Sequence, residues 1–237
     1  MRIRYLTVAL AILAALLLVV AGPGVQAGLW TFHTGFTLLR WAAYTGLAAA
    51  VAALMQLLIG RQRGLPRGPL VLAVLLGLLT AGVPWFWRQR ARQVPPIHDI
   101  STDTQNPPTF VAVLPLRADA PNPATYGGPE VAAAQAQAYP DIRPLEMPGT
   151  PPDAAFRRAL DAARAAGWAI VAADSAEGRI EATATTGWFG FKDDVVLRIQ
   201  AAGGGSRLDV RSVSRVGKSD VGTNARRIRS YLRGLAD

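Results

Sequence analysis

The chain has 237 residues, 51 % of them hydrophobic and only 17 % charged, so it holds one or two domains and is poorer in charge than a typical soluble protein. The absence of cysteine excludes disulfides, thiolate metal sites and cysteine nucleophiles, and two distant histidines, His33 and His98, exclude a histidine-rich metal site. The net charge of +9 suggests a nucleic-acid binder only until it is located: residues 1–94 hold nine basic residues and no acid, whereas the stretch from Asp99 onward balances 16 acids against 16 Lys and Arg, so no nucleic acid is expected as a partner.

Residues 6–21 are almost purely aliphatic, follow Arg2 and Arg4, and are broken by Gly22-Pro23-Gly24. Residues 42–59 and 70–87 form two further apolar runs, the last ending in Trp85-Phe86-Trp87, the aromatic type favoured at a bilayer interface. A spanning helix needs roughly 20 residues, with about 17 tolerated. The pattern therefore predicts a transmembrane region over 1–94 with helices at about 5–21, 36–59 and 70–87. Residues 29–39 either extend the second helix or lie along the interface. Arg40 falls at the edge of the second run, where snorkelling to headgroups explains it. Val25-Gln26-Ala27 also permits a signal-cleavage reading of the first run, which leaves the topology unchanged.

The 22–35 loop has no Lys or Arg, whereas 60–69 carries Arg61, Arg63 and Arg67. The positive-inside bias then puts the N-terminus and the 60–69 loop in the cytoplasm and everything after Trp87 outside it. Arg88, Arg90 and Arg92 run against that bias. The expected location is the bacterial inner membrane, with a periplasmic C-terminal domain over 95–237.

Thirteen of the 17 prolines fall between Pro95 and Pro152, so that stretch is extended or looped apart from one helix-like piece at 129–138. Thr150-Pro151-Pro152-Asp153 resembles a capped helix start, Phe156, Ala159, Leu160 and Ala163 recur at helical spacing, and Gly167 stops the helix. Strands follow at 168–173, 179–185, 195–200 and 207–213, with 201–206 as a glycine-rich hairpin connection. A final helix spans about 220–235. The fold class is α+β: three N-terminal membrane helices, then a soluble domain with an antiparallel meander of four or more strands covered by helices.

Strand alternation puts Ile180, Ala182, Ala184, Val195, Leu197, Ile199, Leu208 and Val210 on one face. The opposite face carries Glu181, Thr183, Arg198, Asp209 and Arg211, and predicts an exposed ladder Glu181–Arg198–Asp209 that sets register.

Three groups of residues carry a resemblance. Ile97-His98-Asp99-Ile100-Ser101-Thr102-Asp103 with Pro107-Pro108 resembles the opening motif of the DUF1499 family, a domain of unknown function. The run 179–183 with Trp188, Gly190-Phe191, Asp193-Asp194-Val195 and Arg198-Ile199 is similar to its central motif. Asp209-Val210-Arg211-Ser212, Ser214-Arg215-Val216-Gly217, Ser219-Asp220, Gly222, Asn224-Ala225 and Arg227-Ile228 are similar to its closing motif. The resemblance covers nearly all of 95–236 and implies no activity, substrate or cofactor.

The residue types that carry chemistry gather in these motifs, and the expected polar centre comprises Asp99, Asp103, Asp193, Asp194, Arg211, Arg215, Asp220, Asn224 and Arg227. Arg211 and Arg215 share strand parity, Asp193 and Asp194 point to opposite faces, and Asp220 occupies the amides at the start of the last helix. An Arg–Asp network locking the last strand to the last helix is the favoured structural reading; paired catalytic acids need a distant partner such as Asp99 or Asp103. His98-Asp99-Ile100-Ser101 holds the residue types of a hydrolase triad but not its geometry, and Gly203-Gly204-Gly205 lacks the end of a phosphate loop. The aromatic loop 188–191 is expected to pack into the core rather than dip into lipid. The last helix, with Arg226, Arg227, Arg229 and Arg233, is expected to pack its apolar face on the sheet. No convincing catalytic constellation, cofactor or metal site is expected. The function expected is binding of an envelope lipid, polymer or partner protein by an anchored domain, with an Asp-based hydrolase or transferase and a purely structural membrane subunit as rivals.

Overall fold

The computed structural model describes residues 2–59 and 67–236, with the side chain of Ala236 excepted, so Arg61 and Arg63 lie outside the described residues. The chain forms two compact units: residues 1–90 with Gly187–Gly190, and the remainder from Ala91 onward.

The first unit contains α1 (Arg2–Gln26), α2 (Phe32–Ile59) and α3 (Gly68–Arg92). All three are long and apolar enough to cross a membrane. Their outer faces are aliphatic and open, with Leu6 68 %, Leu58 67 % and Leu75 60 % exposed, a surface that suits lipid and not water. Their inner faces use small residues. Ala11, Ala14, Ala49, Ala53 and Ala73 are fully buried, and a Cβ on Gly77 would collide with the carbonyl oxygen of Gly46 on α2. This is how helices associate where there is no hydrophobic drive between them.

Two sequence expectations change here. The helix α1 does not break at Gly22-Pro23-Gly24 but runs on to Gln26 with Pro23 inside it. Proline near a helix end removes only one ladder bond, and the flanking glycines leave room for Trp188 beside Gly22 and Trp30 beside Gly24. The aromatic loop does not pack into the sheet core. Gly187–Gly190 belongs to the helical unit, where Gln26 Nε2 donates to the carbonyls of Gly187 and Trp188 at 2.5 and 2.8 Å and Phe189 lies 5.2 Å from the Phe36 ring. The 29–39 stretch resolves as an extension, since α2 begins at Phe32.

The second unit is built on one antiparallel sheet. Its strands are β1 (Asp99–Ser101), β2 (Leu145–Pro148), β3 (Ala169–Asp174), β4 (Arg179–Thr185), β5 (Lys192–Ala202) and β6 (Gly205–Ser214). The order is β1-β6-β5-β4-β3, with β2 also pairing β6. The central meander follows the alternation, and the two additional short strands complete the far edge of β6. The helices are α4 (Gly128–Ala138), α5 (Pro152–Ala165) and α6 (Thr223–Ala236). The β5–β6 hairpin closes on Gly203 and Gly204, both at positive φ, as a two-residue primed turn requires. Gly167, at φ +75°, ends α5 as expected. Thr150 does not cap α5: Pro151 stands at the N-cap and no side chain bonds there.

One face of the sheet makes the main core. Ile180, Ala182, Ala184, Val195, Leu197, Ile199, Leu208 and Val210 meet Phe156, Ala159 and Ala163 of α5 and Ala225, Ile228 and Tyr231 of α6. The last helix thus lays its apolar stripe on the sheet, and Tyr231 Oη donates to the carbonyl of Ala159 on α5 at 2.7 Å.

Candidate functional site

The opposite sheet face is not exposed. Glu181, Asp194 and Asp209 are 0 % exposed and Arg211 is 2 %. The covering layer is the proline-rich segment 102–126, a strap laid across the strands, whose Phe110 and Val113 pack on Val196 and Val213. Proline denies this segment a strand ladder, so side chains of the sheet satisfy its backbone groups.

Glu181 is the chief example, and it corrects the expected ladder. In the β4–β5 register Glu181 pairs with Val196, while Arg198 pairs with Arg179. The Glu181 carboxylate accepts the backbone N–H groups of Val111, Ala112 and Val113 at 3.0–3.1 Å and the Arg179 guanidinium at 3.0 Å. The other half of the ladder stands: Arg198 pairs with Asp209 across β5–β6 at 2.9 Å. It is half-buried, with Asp209 fully enclosed, and extended by the strap, because Asp103 also accepts from Arg198 at 3.2 Å and from Arg207 at 2.9 Å.

The nine expected site residues fall into four groups. Asp99 on β1 and Arg211 on β6 form a two-pronged ion pair at 2.9 and 2.7 Å, and Arg211 also donates to the strap carbonyls of Pro108 and Ala124. The guanidinium lies over the rings of Phe110 and Tyr126. Asp194 on β5 takes Arg215 in the same two-pronged manner at 2.9 and 2.8 Å, accepts the Thr183 hydroxyl at 2.8 Å, and has Arg117 Nη1 at 3.4 Å. Asp193, facing the other way, binds Arg227 of α6 at 2.5 Å. Arg227 also reaches Asn224, whose amide in turn bonds Ser212, Ser214 and the carbonyl of His98. Asp220 accepts the amides of Gly222 and Asn224 at 2.8 and 2.6 Å. Asp103 joins the outer pair described above, apart from the other eight.

Electrostatics follow from burial. Desolvation lowers the Arg117 guanidinium, reinforced by Arg215 and Arg211 and opposed chiefly by Asp194. Burial beside Asp99 pushes the Tyr126 hydroxyl up to about 12. Asp220 is raised by burial despite its two amide donors. The helix starts at Thr223, not at Asp220, because Val221 and Gly222 both turn through positive φ before it.

This arrangement holds elements together. Both oxygens of Asp99 and both of Asp194 are committed to arginines, and Asp193 points to the opposite face. The two aligned acids flank Val213 on neighbouring strands, about 10 Å apart at Cα from strand spacing. His98 contributes its backbone carbonyl to Ser214 and Asn224, and Asp99 is bound to Arg211, so the 98–101 run is a strand edge and not a triad. Among the described residues no group of three or more His, Asp or Glu is placed to hold a metal ion.

Sequence reasoning missed Arg117 and the capping role of Glu181. The available signal was a strand face of charges opposite a proline-rich segment long enough to cross it. No curated protein and no solved structure matches the chain. Residues 99–235 match the family described as "Protein of unknown function (DUF1499)", a span of more than half the chain that contains every residue of the network. The chain belongs to the DUF1499 family.

Proposed function

We propose that this is an envelope protein anchored in the bacterial inner membrane, whose α+β domain stands on the periplasmic side and binds an envelope component or partner protein without transforming it. The observation that carries the non-catalytic reading is the saturation of the acids: the carboxylates a hydrolase or transferase would use are already bound to Arg211, Arg215 and Arg227. The binding reading draws on the outer side of the strap. Among the described residues of the second unit, Val111, Leu114 and Leu116, 49 %, 43 % and 56 % exposed, are the exposed large hydrophobic side chains. They sit on a segment whose own backbone is pinned by Glu181 and Arg215. A rigid apolar projection of this kind is a contact surface in waiting.

The side of the membrane is read from the arginines. Arg2 and Arg4 at one end of the first span and Arg67 before the third contrast with a 22–35 connection free of Lys and Arg. Alkaline phosphatase fused after Asp237 of the full chain is expected to be active, and a fluorescent protein that folds only in the cytosol is expected to be dark there. The reverse pattern overturns the periplasmic assignment. For binding, a photo-crosslinking amino acid at Leu114 of the full chain in native membranes is expected to give a discrete adduct absent when the same residue replaces Ser175. Equal labelling from both positions overturns the strap as the contact.

A further inference from the structure

The charge of the second unit is balanced in sum but not in space. α5 and α6 together carry seven arginines against two aspartates, while the rest of 95–237 carries nine basic residues against fourteen acids. The two helices lie side by side on the same sheet face, tied by Tyr231 to Ala159 and by Arg158 Nη2 to the Leu235 carbonyl at 2.8 Å. Their apolar sides are spent on the core, so the basic residues project outward, with the exception of Arg227, which turns in to Asp193. Arg226, Arg229 and Arg233 form one stripe along α6 at helical spacing, and Arg157 and Arg164 stand two turns apart on α5.

The neighbours of three of these arginines fix them without cancelling their charge. Arg158 donates to a backbone carbonyl, Arg226 to the Val221 carbonyl and the Thr223 hydroxyl, and Arg233 to the Arg229 carbonyl. Three acids intervene: Asp161 pairs with Arg164, Asp141 with Arg229, and the buried Asp193 with Arg227, which leaves Arg227 out of the outward-facing set. The exposed remainder, Arg157, Arg158, Arg226 and Arg233 against Asp153, leaves this helix layer net positive.

We infer that the outer face of α5 and α6 is a peripheral docking surface for the anionic headgroups of the bilayer that anchors the chain. The partner is argued from charge complementarity and from the tether. Only residues 93–98 separate α3 from β1, a covalent reach of roughly 20 Å, so lipid headgroups surround this domain at high effective concentration whichever leaflet it faces. Arginines near a negatively charged surface are attracted additively and lose that attraction beyond a Debye length. The inference goes beyond the proposed binding function and does not depend on the side of the membrane. It assigns the helix layer to the lipid and leaves the strap, on the other face of the sheet, to a different contact.

The chain has no cysteine, so single-cysteine labelling of the full protein is clean. Ser230, exposed on α6 among the arginines, and Leu114, on the strap, are replaced in turn as S230C and L114C and labelled with an environment-sensitive fluorophore. Each is reconstituted into phosphatidylcholine bilayers with or without phosphatidylglycerol, containing a headgroup-linked quencher. Quenching at position 230 is expected to be severalfold greater with phosphatidylglycerol and to reverse at about 0.5 M salt, where screening shortens to about 4 Å. It is expected to fall in R157Q/R226Q/R233Q, while position 114 stays bright throughout. Quenching at 230 that is absent, or indifferent to both lipid charge and salt, overturns the inference. So does equal quenching at 114. The salt and lipid arms use the unsubstituted arginines, so the test stands even if the triple variant fails to fold.

Discussion

Arg211 shows what one side chain does in this fold. Its guanidinium joins β6 to Asp99 on β1 and to two strap carbonyls, with Phe110 and Tyr126 against its faces. Replacing it by Met leaves Asp99 buried and uncompensated, which costs about 3–5 kcal/mol in comparable buried pairs. A large drop in the thermal midpoint of the full chain in detergent is the expected result. Asp220 gives a prediction of opposite sign to the usual carboxylate. Burial raises it above the ordinary value, so the folded chain binds this proton more tightly than the unfolded chain does. Stability from this group is therefore fully present at low pH and declines as pH rises through the raised range. The stability difference between the native chain and D220N, measured by denaturant titration, should shrink in that direction from about pH 4 upward.

Helices and strands were mostly legible from periodicity, and their ends were less so. The α1 helix continues through Pro23, and its glycines there lie against two tryptophans, contacts no local pattern reports. The short β1 and β2 strands exist only because β6 offers them an edge. Within the membrane-type unit, α2 and α3 approach closely at Gly46 and Gly77, where a side chain would strike backbone. G77L is expected to separate these helices. Cysteines placed at Ala53 and Ala73, buried in one cluster, should crosslink efficiently in the native background and poorly in the G77L one.

The strap couples distant parts of the domain. Glu181 on β4 holds its 111–113 amides, while Arg211 on β6 holds its Pro108 and Ala124 carbonyls. Two anchors on one segment share their effect, since releasing the segment at one place weakens its hold at the other. E181Q alone is expected to destabilise by about 1–3 kcal/mol through the weakened carboxylate bonds, with faster amide exchange at Val111–Val113. The E181Q/R211M double variant should lose less stability than the two single losses combined. Strict additivity would show that the strap is not one unit.

Composition and periodicity alone determined the three apolar helices, the asymmetric placement of charge, the α+β class and the apolar sheet face. These depend on local spacing, which a linear sequence carries in full. The family motifs likewise marked the residues of the Arg–Asp network. What only the tertiary structure decided was the fate of the polar sheet face. Its side chains read as exposed because nothing in strand alternation says what lies above a strand, and the covering strap has no periodicity of its own. Once it folds over, Glu181 leaves the expected ladder to bind three amides, and Asp99 and Asp194 become buried partners of arginine. Burial depends on which segments meet in space, and the loss of water there makes these charges a clamp.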